Sequence, residues 1–364
     1  MKILCLVTDA FGGHGGISKF NRDLLTSLCS YPDVDEVVAV PRLMPNPSGN
    51  LPKNLTYVTD GLNSKSRFIF KILLMILQRR RYDLIVCGHI NLVPLSYLCR
   101  LMLGAPLALI IHGIDAWQPT RSRIVNYLSG KIDILISVSE YTRKRFTEWS
   151  NLKNATFVIQ PNSVDLGLFT PAPKNQVLLD RYGLNGRVVL MTLGRLDSKE
   201  RAKGFDEIME ILPLLVVEIP NIAYLIAGSG RDRERLEQKV KSLKIEELVI
   251  FTGMVSEEEK ADHYRLADAY IMPSRGEGFG IVLLEAMACG IPAVASTVDG
   301  SREALRDGLL GILVDPDKPA EIIAAVIQAL GKPRQVTEGL DYFSSINFEA
   351  RVHSFLDTVP KRAR

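Results

Sequence analysis

The chain has 364 residues, 47% of them hydrophobic and 23% charged, which is the composition of an ordinary globular protein with the length of two domains. Its five cysteines (Cys5, Cys29, Cys87, Cys99 and Cys289) are scattered, odd in number and without Cys-x-x-Cys spacing, which argues against a disulfide framework or a zinc site. The net charge is only +3 but uneven: residues 1–165 hold 19 Lys/Arg against 12 Asp/Glu, so the first half is the one that would meet an anionic surface.

The first apolar run, Lys2–Val7, predicts a strand; it is too short for a secretory signal and is followed at once by Asp9. Gly12-Gly-His-Gly-Gly16 then leads into a predicted helix over Ser18–Ser30, capped near Ser18, and has the form of a loop that approaches a phosphate or a sugar. A dinucleotide fingerprint would need glycine where Ser18 stands. It would also need an acid after the second strand, Glu36–Val40, which runs on instead into Pro41-Arg42. NAD is therefore disfavoured.

A helix over Arg67–Gln78 is strongly apolar from Phe68 to Leu77 and is followed by Arg79-Arg80-Arg81. It reads either as a core helix with a charged end or as part of a basic patch, with Arg121, Arg123 and Arg143-Lys144-Arg145, that rests on anionic lipid. Nucleic acid is disfavoured, because no recognition motif is present and few aromatics interleave with the charges. After a strand at Leu84–Cys87, the nearly all-apolar stretch Leu92–Ile111 is broken by Arg100, Gly104 and Pro106. It predicts a short helix and the strand Leu107–His112, not a membrane span. Ile134–Val138 and Thr156–Ile159 complete the first set. None of these runs alternates with period two, as expected for parallel strands covered on both faces, and the pattern predicts a doubly wound α/β domain.

Pro161-Asn-Ser-Val-Asp-Leu-Gly-Leu-Phe-Thr-Pro-Ala-Pro173 is a linker. A second alternating set follows, with strands at Val188–Leu193, Ala223–Ala227, Val249–Thr252, Ala269–Met272 and Ala293–Ala295. After its first strand, Gly194-Arg195 and Lys203-Gly204-Phe205 put a guanidinium fork and a compact ammonium where a phosphate would sit; Lys199, Glu200 and Arg201 between them read as solvated. Gly228-Ser-Gly230 and Phe251-Thr-Gly-Met-Val255 follow the next two strands. The most informative segment is Arg275-Gly-Glu-Gly-Phe-Gly-Ile-Val-Leu-Leu-Glu-Ala-Met-Ala-Cys-Gly290. Glycines at 278 and 280 precede a predicted helix whose first N–H groups are unpaired and whose dipole favours an anion, with one carboxylate in the loop and the other about one turn into the helix. Asp33-x-Asp35 and Asp315-x-Asp317 read as turns rather than metal ligands.

Glu277-x7-Glu285 with Gly278-Phe279-Gly280 inside it resembles the signature of the retaining GT-B glycosyltransferases of family 4, group 1 type. The resemblance extends to Gly194-Arg195, Lys203-Gly204, Gly15-Gly16, His112-Gly113 and the linker, where Ser163 replaces the family's glycine. It implies two Rossmann-like doubly wound domains facing across a cleft. An N-terminal acceptor domain would cover residues 1–166, with a final helix in 346–364 packing back on it, and a C-terminal nucleotide-sugar domain would cover 167–345. Glu277 and His112 would lie at the donor sugar, and Arg195 and Lys203 at the diphosphate. Glu285 would reach the ribose, Met254 the base, and Gly15, Gly16, Gly228, Gly278, Phe279, Gly280 and Ile281 would line the donor. His14 and Asp115 are the acceptor-side candidates; His89, His263 and His353 carry no functional signal.

The activity so implied is transfer of a hexose from a UDP- or GDP-sugar to a glycan or lipid-linked acceptor. It would need no metal or other cofactor and would run in the cytoplasm or at the inner face of a membrane, in cell-surface polysaccharide or glycolipid synthesis. A nucleotide-sugar epimerase of the same fold and a non-catalytic partner subunit are the alternatives.

Overall fold

A computed structural model describes residues 1–78, 80–197 and 201–360; Arg79, Ser198, Lys199, Glu200, residues 361–364 and the side chain of Arg201 lie outside that description. The chain forms two compact units, Met1–Ser163 with Ser345–Arg364, and Val164–Ser344.

The first unit holds β1 (Lys2–Val7), β2 (Glu36–Pro41), β3 (Leu55–Tyr57), β4 (Leu84–Cys87), β5 (Leu107–Ile111), β6 (Ile134–Ser137) and β7 (Thr156–Ile159). They form one parallel sheet in the order β3-β2-β1-β4-β5-β6-β7. β1, β4 and β5 are apolar at nearly every position because helices cover both faces, and Leu4, Leu6, Ile85, Leu109 and Leu135 join Phe68, Ile72 and Phe146 in the core on one face. The second unit holds β8 (Val188–Leu193), β9 (Ile222–Ala227), β10 (Val249–Gly253), β11 (Ala269–Met272), β12 (Ala293–Ser296) and β13 (Ile312–Val314), parallel in the order β10-β9-β8-β11-β12-β13. Its core packs Leu190, Tyr224, Ile226, Ile271 and Val294 against Ile208, Leu212 and Ile322.

β3 and β13 escape the sequence pattern because each is an edge strand of only three residues; β3 (Leu-Thr-Tyr) has no apolar run, and the Ile-Leu-Val of β13 is too short to stand out as a strand. The first helix spans Gly16–Ser30, two residues more than predicted at its start. Its N-cap is Gly15 at φ 86°, and Ser18, far from capping, turns its hydroxyl back onto the His14 carbonyl at 3.0 Å. The apolar stretch after Leu92 is a helix, Val93–Leu103, and β5; the Arg100 that interrupts it grips Asp133 through two bonds of 2.6 and 2.7 Å. Among the described residues no helix is long and apolar enough to cross a membrane. The last helix, Ser345–Asp357, lies along helix Gly16–Ser30. There Phe348 meets Phe20 edge-on at 5.5 Å, and Gln160 donates to the Phe348 carbonyl at 3.3 Å.

Candidate active site

In each sheet the strand order reverses once, and parallel α/β sheets bind ligands at that reversal, beyond the carboxyl ends of the strands. In the second unit the reversal lies between β8 and β11. Their ladder stops at Met191 and Tyr270. Beyond it, the Tyr270 hydroxyl accepts from the Leu193 N–H at 3.1 Å and donates to the Leu193 carbonyl at 3.2 Å. The residues that leave these two strands, Gly194-Arg195 and Pro273 to Gly280, therefore flank one opening.

There the Lys203 Nζ donates to Glu277 Oε2 at 2.7 Å, with the two side chains only 19% and 17% exposed. A glycine brings them together. Gly204 (φ 88°) has no room for a side chain, since a Cβ would lie 2.7 Å from Pro273 Cδ and 2.8 Å from the Pro273 carbonyl oxygen. The Arg275 N–H donates to the Ala202 carbonyl at 2.7 Å and closes the same contact. Gly204→Ala is expected to push the two loops apart, breaking the Lys203–Glu277 pair and costing about 1–3 kcal/mol of stability; calorimetric unfolding and turnover, measured together, check this.

Glu277 is held from behind by Asp299, which sequence reasoning missed. The buried Asp299 Oδ2 accepts from the Glu277 N–H at 2.8 Å and the Ser274 hydroxyl at 2.6 Å, while Oδ1 accepts from the Ser301 N–H at 3.0 Å and its hydroxyl at 2.6 Å. Burial pushes the Asp299 carboxyl above its usual range, and the Ser274 and Ser301 bonds oppose that shift. Gly300 completes the support by donating to the Glu277 carbonyl at 2.9 Å. The only sequence signal was an Asp-Gly-Ser turn after a strand.

Gly280 (φ 92°) starts the helix Ile281–Ala288, and Phe279 before it is buried edge-on against Phe343 at 5.5 Å. One turn into the helix Glu285, its side chain 2% exposed, accepts from Lys260 at 2.8 Å and from the Tyr264 hydroxyl at 2.7 Å. Burial alone would lower the Lys260 ammonium; Glu285 and Glu257 beside it carry it above its usual value. Arg195 is exposed after β8. Gly228 (φ 140°) lies so close to it that a Cβ would fall 1.9 Å from the Gly194 carbonyl oxygen. Met254, 84% exposed, follows β10, two strands from β8. The structure thus brings Lys203, Glu277 and the glycines 278 and 280 together at one strand end, with Arg195 on the neighbouring strand and Met254 at the far edge of the sheet. Asp315 and Asp317 form a turn, Asp317 N–H to Asp315 Oδ1 at 3.0 Å, and Asp317 accepts from Arg275 at 2.6 Å.

In the first unit the reversal lies between β1 and β4. Four adjacent strands, β2, β1, β4 and β5, release Arg42, Asp9, His89 and the His112–Asp115 loop at their carboxyl ends. Gly88 allows the close approach, because a Cβ there would lie 2.9 Å from Val7 Cγ1. The His112 Nε2–H donates to the Gly88 carbonyl at 3.1 Å, and burial pushes the ring down to about 4, so it is neutral at pH 7 with Nδ1 left as an acceptor. His89 Nδ1 accepts from the Asn91 N–H at 3.1 Å, so its Nε2 carries the proton; that nitrogen stands 3.8 Å from Asp115 Oδ2. This exceeds a hydrogen bond, and among the described residues the buried Oδ2 has no hydrogen-bond partner. Burial raises the Asp115 carboxyl to about 7. His89 joins the group only through strand order, which explains why its sequence context gave no signal. His14, with Gly15 and Gly16, is exposed, and its Nε2 accepts from the Asn46 amide at 2.8 Å.

The raised Asp115 pKa has a defined consequence for stability. Its contribution is full below the ordinary value of 3.8 and is lost as pH rises through about 7. The depressed His112 contributes stability above its ordinary value of 6.5, lost only as pH falls towards about 4. The Asp115 loss therefore runs from about pH 4 to 7 and is offset by the His112 gain up to about pH 6.5; Asp115→Asn should remove it, so that stability climbs from pH 4 to 6.5 where the unaltered protein stays nearly level. Denaturant unfolding across that range provides the check.

The fold and the two switch-point sites define a GT-B architecture. HepE of Anabaena, solved in complex with UDP and glucose, superposes with a TM-score of 0.74 at 19% identity over 98% of this chain and 100% of that one. Sucrose-phosphate synthase from Thermosynechococcus elongatus superposes with a TM-score of 0.70 at 20% identity over 97% and 94%. Two family models match the sequence, Glycosyltransferase Family 4 over residues 14–168 and Glycosyl transferases group 1 over residues 181–339. The chain belongs to this glycosyltransferase family. It is 35% identical over 235 residues to a GDP-mannose-dependent alpha-(1-6)-phosphatidylinositol monomannoside mannosyltransferase of Mycolicibacterium smegmatis, covering 62% of this chain and 60% of the relative. It is 34% identical over 258 residues to a phosphatidyl-myo-inositol mannosyltransferase of the same species, covering 68% and 62%. The chain thus spans about three fifths of the length of these curated relatives.

Proposed function

We propose that the protein transfers a hexose from a nucleotide-sugar to a lipid-linked or glycan acceptor, with retention of anomeric configuration and without a metal ion. The Lys203–Glu277 pair at the second unit's switch point, beside a glycine-led helix N-terminus, carries this reading. The diphosphate lies against Arg195, Lys203 and the first N–H groups of helix Ile281–Ala288, where an ammonium with three donors serves phosphate and Glu277 together. As the bond from the anomeric carbon to the phosphate oxygen breaks, its electron pair stays on the diphosphate. The acceptor oxygen bonds to the same face, and its proton passes to the departing phosphate oxygen. Preorganised cations and amides at the leaving group supply the main stabilisation.

Glu277 orients the sugar hydroxyls, and Glu285, whose oxygens keep lone pairs beyond their two bonds, accepts from the ribose. Neutral His112 accepts a hydroxyl of the sugar, and Asp115 with His89 takes a hydroxyl of the acceptor. The relatives' names make GDP-mannose the first donor to try and a phosphoinositol lipid the first acceptor.

Thermal unfolding with GDP, UDP and ADP, followed by assays with the matching sugar donors, tests the proposal. Stabilisation by one nucleoside diphosphate and transfer that persists in EDTA are expected. No stabilisation by any of the three, or loss in EDTA with rescue by Mn²⁺, counts against it. Isomerisation of the donor without acceptor would favour an epimerase.

A further inference from the structure

Arg275, two residues before Glu277, grips the Lys203 segment on both sides. Its N–H donates to the carbonyl of Ala202, the residue before Lys203, at 2.7 Å. Its guanidinium donates through Nη1 to Glu207, four residues beyond Lys203 in the first turn of helix Phe205–Glu218, and through Nη2 to Asp317 at 2.6 Å. A planar fork can serve two carboxylates at once in this way, where the point charge of an ammonium would hold one.

The two carboxylates are not equivalent. Asp317 is 76% exposed, and an ion pair so wet contributes little. Glu207 is 18% exposed, and among the described residues Arg275 is its only ion-pair partner and its buried Oε2 has no hydrogen bond. The acid beside it, Asp206, is taken up by Arg235 and Lys239 at 2.7 and 2.8 Å, so Glu207 alone in that first turn faces the loop.

The contact governed by this clamp is the Lys203–Glu277 pair. Glu277 is fixed from behind, its N–H on Asp299 and its carbonyl on Gly300. Lys203 ends a short turn, Arg201–Lys203, and Arg275 ties residues on either side of it to the loop that carries Glu277. Without the guanidinium, Glu207 keeps a partly buried charge with no counter-charge. It regains water by moving its helix start away from the loop, and Lys203 moves with it.

We propose that Arg275 is a positioning residue that sets the Lys203 ammonium against Glu277. The proposal rests on the reading of that pair as the donor end of a glycosyltransferase site, and its test keeps the two apart.

Arg275→Gln, Arg275→Lys, Glu207→Ala and Asp317→Ala in the full chain are read by hydrogen exchange, which needs no substrate, and by steady-state transfer. Arg275→Gln should speed exchange in residues 202–209 and 273–280 by about tenfold or more while β8 and β11 exchange as before. Turnover should fall roughly 10–100-fold, the effect of a misplacement of about 1 Å, with the donor KM within about twofold of normal. Glu207→Ala should reproduce most of that loss, Arg275→Lys should recover part of it, and Asp317→Ala should cost less than about twofold. In a Lys203→Ala background, where no ammonium is left to place, Arg275→Gln should cost no more than about twofold further. Normal turnover of Arg275→Gln at any KM, an undiminished loss in the Lys203→Ala background, or unchanged exchange in 202–209 overturns the proposal. Should Arg275→Gln fail to fold, Glu207→Ala carries the same three readings. If the unaltered protein transfers no sugar, the donor reading fails by itself, and exchange still decides whether Arg275 holds the two loops together.

Discussion

Lys203→Ala should lower turnover about 10²–10³-fold, and Arg195→Ala should do the same, because each removes a preorganised donor from the departing diphosphate, worth about 3–4 kcal/mol in the transition state. Arg195→Lys should recover only part of the loss, since the planar fork is gone. For Lys203 there is a rival explanation in the geometry: at 2.7 Å from Glu277 it has a second role in holding that carboxylate. A double-mutant cycle separates the two. If Lys203 acts only through Glu277, Lys203→Ala/Glu277→Ala will be no slower than Glu277→Ala alone; if it meets the phosphate, the double variant will be slower still. Glu277→Gln, which keeps the shape, should reduce turnover while nucleoside diphosphate affinity stays close to normal. Equal loss of affinity and turnover in that variant would remove Glu277 from the sugar.

Glu285→Ala should be the most destabilising single change at the site. The carboxylate is buried and its main partner, Lys260, is 14% exposed, so truncation leaves an ammonium without its counter-charge. Breaking such a pair costs about 3–5 kcal/mol, or roughly 6–20 °C in melting temperature for a unit of this size. From its position in the motif alone, Glu285→Ala would be expected mainly to weaken nucleotide binding; the Lys260 and Tyr264 bonds show that it would also disturb the fold. Glu285→Gln keeps the Tyr264 bond and is the cleaner probe of the ribose. Glu285→Met with Lys260→Met should regain most of the lost stability without regaining nucleotide affinity. If Glu285→Ala melts with the unaltered protein, the pair is not structural.

These expectations divide along the line between what is local in the chain and what is not. The Glu277–Glu285 segment was legible because strand end, glycine turn and helix start follow one another within sixteen residues, 275 to 290, so side-chain type and spacing fix their geometry. The central strands were legible for a similar reason: burial on both faces demands unbroken apolar runs, and glycine and proline punctuate them. The edge strands β3 and β13 are three residues each, and even the all-apolar Ile-Leu-Val of β13 is too short to read as a strand.

Only the tertiary structure could supply the partners. Asp299 behind Glu277, Lys260 and Tyr264 on Glu285, and His89 facing Asp115 are each 21 to 26 residues from the group they serve. Helix Lys65–Leu77 buries Phe68, Ile72, Met75 and Ile76 and leaves Ile69, Phe70, Leu73, Leu74 and Leu77 exposed, a division hidden in the sequence for the opposite reason. Its thirteen residues are apolar on both faces, and composition cannot say which face the rest of the unit covers. Strand order and helix packing decide such matters. They are set by the sum of many weak apolar contacts across the whole sheet, which no short stretch of sequence encodes.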